Sequence, residues 1–265
     1  MSLTATLAAG LFGTSAAATG NDPAAAIALL RRATAPGAAA KGEARERKDP
    51  VVITALAQFD KALAAAPDLK AALADPRVLA VLLPALGLGD QLGNPGLARR
   101  ALLADPAAKD GLLAKVDARW KAAAQTLGLF GKDIAALRDP ALGATLKDNY
   151  VGFHYQKSLD ATQPGMLDAL YFIDQAAGKA GNVYNVLGDA ILRRVVSGAL
   201  GLPQQLAVQT VERQALAVTT RLPMSQLNDP RQVYKLAQRY LMTTASNATA
   251  AAAPDMATLA MSLRA

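Results

Sequence analysis

Apolar side chains recur every three or four residues along most of the chain, the spacing that places them on one face of an α-helix. The segment from Asp105 to Leu127 predicts one such helix, with an apolar face made of Leu112, Leu113, Val116, Trp120, Ala123 and Leu127. No alternating pattern typical of a strand extends beyond a few residues. The pattern therefore predicts an all-α fold, a multi-helix bundle of about ten short helices with no sheet.

The dipeptide Asp-Pro predicts where many of these helices begin. An aspartate at the N-cap accepts hydrogen bonds from free backbone N–H groups, and a proline at the next position loses no useful donor. The pairs stand at 22–23, 49–50, 75–76, 105–106, 139–140 and 229–230. We expect a helix to start at each.

The tripeptide Leu-Gly-Leu predicts where three helices end. It occurs at 86–88, 127–129 and 200–202. A glycine just past a helix adopts the left-handed conformation at little cost, and the following leucine folds back onto the last turn. We interpret the repeat as a recurrent Schellman-type cap.

Composition excludes several classes of chemistry. Of 265 residues, 52% are hydrophobic and 18% are charged, so wholesale disorder is excluded. With no cysteine and one histidine, disulfide scaffolds, thiolate sites and histidine-clustered metal sites are excluded. The glycine-containing segments lack the spacing of phosphate loops, and we interpret His154 as a boundary residue. We therefore predict no enzyme activity, no catalytic residue, no cofactor and no metal.

Positive charge is concentrated near the N-terminus. The chain carries a net +7, and the segment 31–48 carries six basic residues against Glu43 and Glu46, a net +4. We interpret this segment as a solvated linker, with binding of an acidic polymer (nucleic acid or an anionic membrane) as the alternative. No element typical of specific nucleic-acid recognition accompanies it, and no apolar run is long enough to cross a bilayer.

Aromatic residues are concentrated between 150 and 184. The six are Tyr150, Phe153, Tyr155, Tyr171, Phe172 and Tyr184. Large rings fill space that alanine cannot, so we expect the helices of the second half to meet here. A ligand pocket at the same place is the alternative.

Three regions are predicted along the chain. Residues 1–48 would form a flexible segment with a short helix and the basic linker, and no basic residue precedes the apolar part of Met1 to Gly20, so we expect no cleaved secretory signal. Residues 49–242 would form the helical domain, with 49–138 and 139–242 as two sub-bundles. Residues 243–265 would be a low-complexity tail that ends in a short amphipathic helix.

An ordered set of motifs over about residues 50–242 resembles a bacterial domain family of unknown function, number 1217. It runs through Leu73-Ala-Asp-Pro-Arg77, Leu83-Pro-Ala-Leu-Gly-Leu88-Gly-Asp90, Ala98 to Asp105, Asp117-Ala-Arg-Trp120, Ala169-Leu-Tyr-Phe172, Leu187-Gly-Asp-Ala190, Leu200-Gly-Leu-Pro203, Glu212-Arg-Gln214 and Asp229-Pro-Arg231. The signature positions are Asp75, Pro76, Arg77, Gly87, Leu88, Asp117, Arg119, Trp120, Tyr171, Phe172, Asp189, Gly201, Leu202, Pro203, Gln214, Asp229 and Pro230. The chain departs from the family pattern at Gly89, where the family has Glu, at Asn94-Pro-Gly96, and at Leu127-Gly-Leu129, where it has Phe-Asn-Phe.

The resemblance implies an all-helical protein with no assigned activity, encoded beside flagellar genes in Alphaproteobacteria. It implies a non-catalytic role through protein–protein contact in flagellar structure, assembly or its regulation. The partners would be flagellar basal-body, axial or export components. The protein would be cytoplasmic or exported through the flagellar apparatus. Binding of a small ligand or an acidic polymer remains the alternative function.

Overall fold

The computed structural model describes residues 22–252, with side chains described to residue 248. Within that range it contains fourteen α-helices and no strand, which confirms the all-α fold class. The helices are α1 (Pro23–Ala33), α2 (Ala38–Glu46), α3 (Pro50–Ala65), α4 (Leu69–Ala72), α5 (Pro76–Ala85), α6 (Pro95–Leu102), α7 (Ala118–Leu127), α8 (Ile134–Leu137), α9 (Pro140–Thr162), α10 (Met166–Lys179), α11 (Val183–Leu187), α12 (Ala190–Ala199), α13 (Val211–Thr219) and α14 (Pro230–Ala252). There are more helices than expected, and α9 and α14 are long, at 23 residues each.

Five of the six Asp-Pro pairs begin helices, as the local pattern predicts. The aspartate carboxylate accepts a hydrogen bond from the backbone N–H two residues later, at 2.7–2.9 Å, in each of these five helices. The helices concerned are α1, α3, α5, α9 and α14. The start of these helices is thus determined by two adjacent residues.

The sixth pair, Asp105-Pro106, does not begin a helix, so the predicted helix from Asp105 to Leu127 is wrong. Asp105 caps only a turn, by accepting from Ala107 N–H at 2.8 Å, and the α-helix begins later, at Ala118 in α7. The physical reason is a stronger start at Asp117. Its carboxylate accepts from the Arg119 N–H and also makes long-range contacts described below.

Glycine ends two of the helices with full Schellman geometry. Gly87 has a φ of 72°, and the N–H of Leu88 donates to the carbonyl of Leu83 at 2.8 Å. Leu202 N–H donates in the same way to Ser197 O at 2.9 Å. At the third repeat Gly128 is also left-handed, and the leucines after all three glycines are buried. The interpretation of the repeat as a capping device is confirmed.

The apolar core forms two clusters. The first is built from α3 to α9 around Phe59 and Trp120, and the second from α1 and α10 to α14 around Phe172. The first half of α9 belongs to the first cluster through Leu146, Tyr150 and Val151, while its last turns pack against the second. The boundary between the clusters therefore lies inside α9 and not between residues 138 and 139.

The segment 22–48 is folded, so its interpretation as a flexible segment with a linker is corrected. In α1, Ala26, Leu29 and Leu30 are buried in the second cluster, where the helix packs against α14. The basic residues lie at the end of α1, on α2 and in the turn after α2. Helix α2 packs against α9, with Gly42 facing the Tyr155 ring. Small and apolar residues on one face anchor each helix, and the cations occupy the exposed positions.

The predicted tail also differs, because α14 continues as one helix to Ala252 and Ala245 is buried. Alanine is the best helix former, so the alanine-rich run extends the helix instead of interrupting it. The expected signal-free N-terminus and the short terminal helix at 255–263 lie outside the described residues. None of the described helices is long and apolar enough to span a membrane.

Replacing Gly42 tests whether α2 is packed as described. A methyl group there would overlap the Tyr155 ring, so Gly42→Ala should lower the free energy of unfolding by about 1–3 kcal/mol. The matched control is Gly178→Ala in α10, where a methyl group meets no atom and should stabilise by up to about 1 kcal/mol. Urea unfolding followed by circular dichroism measures both. Equal effects of the two substitutions would show that α2 is not packed against α9.

Candidate functional site

A cleft of about 920 Å³ lies where the two core clusters meet. Its lining comes mainly from α9, α10 and the turn that follows α5, with further residues from α7, α12 and α14. On α9 the lining residues recur every fourth position, at Asp148, Gly152, Gln156 and Asp160. This spacing is one face of the helix, so α9 forms a continuous wall of the cleft.

The buried side chain of Arg119 organises the inner part of the cleft. Its guanidinium donates two hydrogen bonds to Asp90, at 2.8 and 2.9 Å, and one to the carbonyl of Gly87 at 3.0 Å. It also bonds Asp117 through Nε and Nη2, at 2.9–3.2 Å, and lies 3.9 Å from Asp189. Since the Arg119 side chain is only 3% exposed, these acceptors replace the water that it loses.

Asp189 connects this group to α10 and α12. One carboxylate oxygen caps α12 by accepting from the N–H groups of Ile191 and Leu192, at 3.0 and 3.1 Å. The other accepts from the Tyr171 hydroxyl at 2.9 Å. The helix N-terminus and the hydroxyl both stabilise a buried carboxylate, so Asp189 is held by structural partners.

Backbone contacts bring the start of α7 and the start of α12 together. Asp117 accepts from the N–H of Ala190 at 3.2 Å, and the N–H of Ala118 donates to the carbonyl of Gly188 at 2.9 Å. These bonds satisfy backbone donors at both helix starts that would otherwise be unpaired. We call Gly87, Asp90, Asp117, Arg119, Tyr171 and Asp189 the Arg119 network.

Charges within the Arg119 network shift the pKa values of its members. Burial alone would lower the pKa of Arg119, but the carboxylates of Asp90 and Asp117 outweigh it and raise that pKa. Burial would raise the pKa of Asp90, and the hydrogen bonds from Arg119 lower it instead. Burial and the neighbouring Asp189 carboxylate raise the pKa of Tyr171. At neutral pH Arg119 therefore stays charged and Tyr171 stays a hydroxyl donor.

A second polar group lies farther along the cleft. Arg194 donates to Asp168 at 2.7 Å, and the Tyr240 hydroxyl donates to the same carboxylate oxygen at 2.9 Å. Burial raises the pKa of Tyr240, with a further contribution from the Asp168 charge. Arg194 is half exposed at the cleft surface, so this pair connects α10, α12 and α14 near solvent.

The structure divides the signature positions of the sequence into three groups. Gly87, Asp117, Arg119, Tyr171 and Asp189 meet in the Arg119 network. Leu88, Trp120, Phe172 and Leu202 are core residues. The others lie at helix ends or in turns (Asp75, Pro76, Arg77, Gly201, Pro203, Asp229 and Pro230), except Gln214, which is buried in α13 and donates to carbonyls of the segment before that helix.

Sequence reasoning missed four site residues: Asp90 as a ligand of Arg119, and the group formed by Asp168, Arg194 and Tyr240. Asp90 stands in the quoted motif, but nothing local indicates that it bonds an arginine 29 residues away. Asp168 and Tyr240 are 72 residues apart. No spacing rule connects such positions, and only the packing of the helices brings them together.

Gly89, the departure from the family pattern, lies against an aromatic ring. A Cβ atom at this position would come within 2.6 Å of the Phe153 ring. Any side chain here would therefore displace that ring. The glycine lets Phe153 lie over the turn, where the ring lines the cleft.

The predicted aromatic cluster does not form a single group. Tyr150, Tyr155 and Phe172 are buried, Phe153 and Tyr171 line the cleft, and Tyr184 is exposed. His154 is partly buried, with Nδ1 3.3 Å from the Glu46 carboxylate, and it joins α9 to α2. In the part of the chain that the structure describes, no group of three histidine, cysteine or acidic residues is arranged to hold a metal ion.

Replacing Arg119 tests how much the Arg119 network contributes to the stability of the fold. Arg119→Met leaves buried carboxylates without their counter-charge, so the free energy of unfolding should fall by about 3–5 kcal/mol. The control is Arg213→Met at an exposed position of α13, which should change it by no more than about 0.5 kcal/mol. Chemical denaturation measures both variants, and a similar small effect of the two would refute a supporting role for the network.

Removing the Tyr171 hydroxyl tests the network at alkaline pH. Because the pKa of Tyr171 is raised above its ordinary 10.0, the unfolded chain releases this proton first, and stability is lost as pH rises beyond that value. Tyr171→Phe removes this contribution, so its stability should fall less than that of the parent between about pH 9 and 11. Tyr184→Phe, at an exposed position, is the control. Parallel pH profiles for the parent and Tyr171→Phe would contradict the expectation.

Comparisons with known proteins show which fold and which family this chain resembles. The X-ray crystal structure of protein AGR_C_984 from Agrobacterium tumefaciens, a structural genomics target, is similar, with a TM-score of 0.67 and 22% identity over 83% of this chain and 92% of that chain. At this identity the likeness shows the fold alone, and no curated protein matches the chain. The family model described as "Protein of unknown function (DUF1217)" matches residues 85–233, more than half of the chain and all of the Arg119 network. The chain therefore belongs to the DUF1217 family.

Proposed function

We propose that this protein works without catalysis, by holding another protein in the cleft between α9 and α10. The observation that carries the proposal is the charge of the cleft. Its lining contains seven carboxylates, those of Glu43, Asp90, Asp148, Asp160, Asp168, Asp174 and Asp189, against the three basic residues Arg119, Lys179 and Arg194. An acidic, open surface on a chain of net charge +7 gives a partner a distinct place to dock.

The polar groups inside the cleft support a non-catalytic role, because structural bonds already occupy them. Arg119 bonds two carboxylates and a carbonyl, and Asp189 caps a helix while it accepts from Tyr171. A general acid or base needs a pKa near the working pH. The pKa values of Tyr171 and Tyr240 are raised instead, which takes these hydroxyls farther from neutrality.

The resemblance supplies the cellular setting of the proposal. The resemblance implies that members are often encoded beside flagellar genes, so the partner would be a basal-body, axial or export component. The protein would act in flagellar structure, assembly or its regulation, in the cytoplasm or after export through the flagellar apparatus. Docking needs no cofactor, and the proposal includes none.

The alternative function, binding of an acidic polymer, is favoured by a different surface. All six basic residues of 31–48 are exposed; Lys41 and Arg45 lie one turn apart on the outer side of α2, and Lys48 lies in the turn after it. Such a stripe attracts phosphates or anionic lipids. Arg45 and Arg47 already pair with Glu46 and Asp148, which weakens this candidate.

Neutralising the cleft tests the proposal in the cell. The cleft variant Glu43→Gln, Asp148→Asn and Asp174→Asn removes three charges at sites that cap no helix. Its control, Asp60→Asn, Asp110→Asn and Glu212→Gln, removes three charges outside the cleft. We expect deletion of the gene to impair motility and the tagged parent to co-purify with flagellar components. The cleft variant should lose both motility and partners, and the control should retain both.

Two results would contradict the proposal. Isolation of the tagged chain as a partnerless monomer, together with normal motility after deletion, would reject the flagellar docking role. Equal loss of partners in the cleft variant and the control would place the contact elsewhere on the protein.

A further inference from the structure

We infer that the cleft receives an arginine-bearing helical segment of the partner protein. This inference rests on the proposed function and names the chemistry of the partner at the same site. It follows from the length of the cleft, the charges along its walls and the rings between them.

The cleft is long enough for several turns of a partner helix. On α9 its lining runs from Asp148 to Asp160, and on α10 from Leu167 to Lys179, thirteen residues and twelve helical steps in each case. At 1.5 Å per residue both walls extend for about 18 Å, or roughly three helical turns. Small-molecule pockets carry only a few polar groups, whereas ten charged side chains line this cleft among its apolar ones. A polypeptide segment therefore fits the cleft better than a small molecule does.

Four carboxylates that line the cleft have either no cationic partner among the described residues or only an exposed one. In the part of the chain that the structure describes, no basic side chain forms an ion pair with Glu43, Asp160 or Asp174. Asp148 pairs with Arg47 at 2.8 Å, but both side chains are about half exposed, and such surface pairs contribute little and exchange readily. Two of these acids lie on α9 and one on α10, and Glu43 lines the cleft from α2.

Glycine at position 152 leaves space beside one of these acids. The Glu43 carboxylate lies 3.5 Å from the place where a Cβ of residue 152 would be. Glycine inside a helix is less favourable than alanine by about 1 kcal/mol. The helix is therefore less stable at this position, and the space that a side chain would fill stays open. The result is that the wall of α9 is indented next to a carboxylate.

Aromatic rings favour arginine over lysine as the cation. Phe153 on α9 and Tyr171 on α10 line the cleft among the carboxylates, and neither ring is fully buried. A planar guanidinium stacks on a ring and bonds a carboxylate with two donors at once, which an ammonium does less well. The lining therefore combines the two features that select arginine.

Because the protein as a whole is positively charged, a basic segment is attracted only within or close to the cleft. At a net +7, the protein as a whole repels a basic partner and attracts an acidic one. A basic segment that binds must therefore gain its attraction inside the cleft, within the screening distance of about 8–10 Å at physiological salt. An acidic segment would bind instead to the exposed cations of 31–48.

Defined peptides test the inference on the full chain. The probe is a fluorescent alanine-based helical peptide of about 16 residues with arginine at every fourth position, compared with matched lysine and glutamate peptides. We expect the arginine peptide to bind best by fluorescence anisotropy. The cleft variant should weaken its binding by about tenfold or more, and the control variant by less than about twofold. Phe153→Leu should reduce the preference for arginine over lysine. Circular dichroism of each variant establishes that it is folded.

Several outcomes would overturn the inference. Equal weakening by the cleft variant and the control would mean that binding reflects total charge. Preference for the glutamate peptide would assign recognition to the 31–48 cations, and salt-sensitive self-association of the chain alone, lost in the cleft variant, would make a second copy the occupant. If flagellar partners co-purify but the arginine peptide does not bind, the docking proposal stands and only the cationic chemistry is rejected. If the peptide binds but deletion leaves motility normal, the inference stands and the flagellar role is rejected.

Discussion

The rest of this structure depends on the hydrogen-bonded ion pairs that the buried guanidinium of Arg119 makes. A buried cation is tolerable only when acceptors surround it, and here three segments distant in sequence supply them. Gly87 and Asp90 follow α5 in the first core cluster, Asp117 begins α7, and Asp189 begins α12 in the second cluster. Asp117 and Asp189 also cap helices, so one buried cation connects helix starts that belong to the two core clusters.

This role of polar contacts follows from the composition of the chain. Alanine buries little area, so an alanine-rich helix gains less from packing than one rich in leucine or phenylalanine. Among the described residues, the fully buried aromatic side chains are few, and Phe59, Trp120 and Phe172 lie inside the two clusters. At the junction between the clusters, hydrogen-bonded ion pairs and helix caps replace large apolar side chains.

The cleft is a consequence of the same arrangement. The two arginines in the cleft are already balanced by carboxylates, Arg119 in the buried network and Arg194 by Asp168 near the surface. The remaining acids on α9 and α10 stay at the edges of the cleft, so that surface is negative on a protein that is positive overall. In this way a charge arrangement that stabilises the fold also determines what kind of partner the surface can attract.

The sequence alone determined the helical class and most helix ends, since an N-cap aspartate before proline and a left-handed glycine act within a few residues. It did not determine that Asp105 fails to start a helix, because the competing start at Asp117 is stabilised by residues 188–190, more than seventy positions away. Nor did it show that α1 and α2 pack, because the same basic residues suit an exposed helix face and a linker. Tertiary structure decided the Arg119 network and the acidic cleft. The charged side chains come together there because separate helices pack against one another. The spacing of these residues along the chain does not indicate that packing.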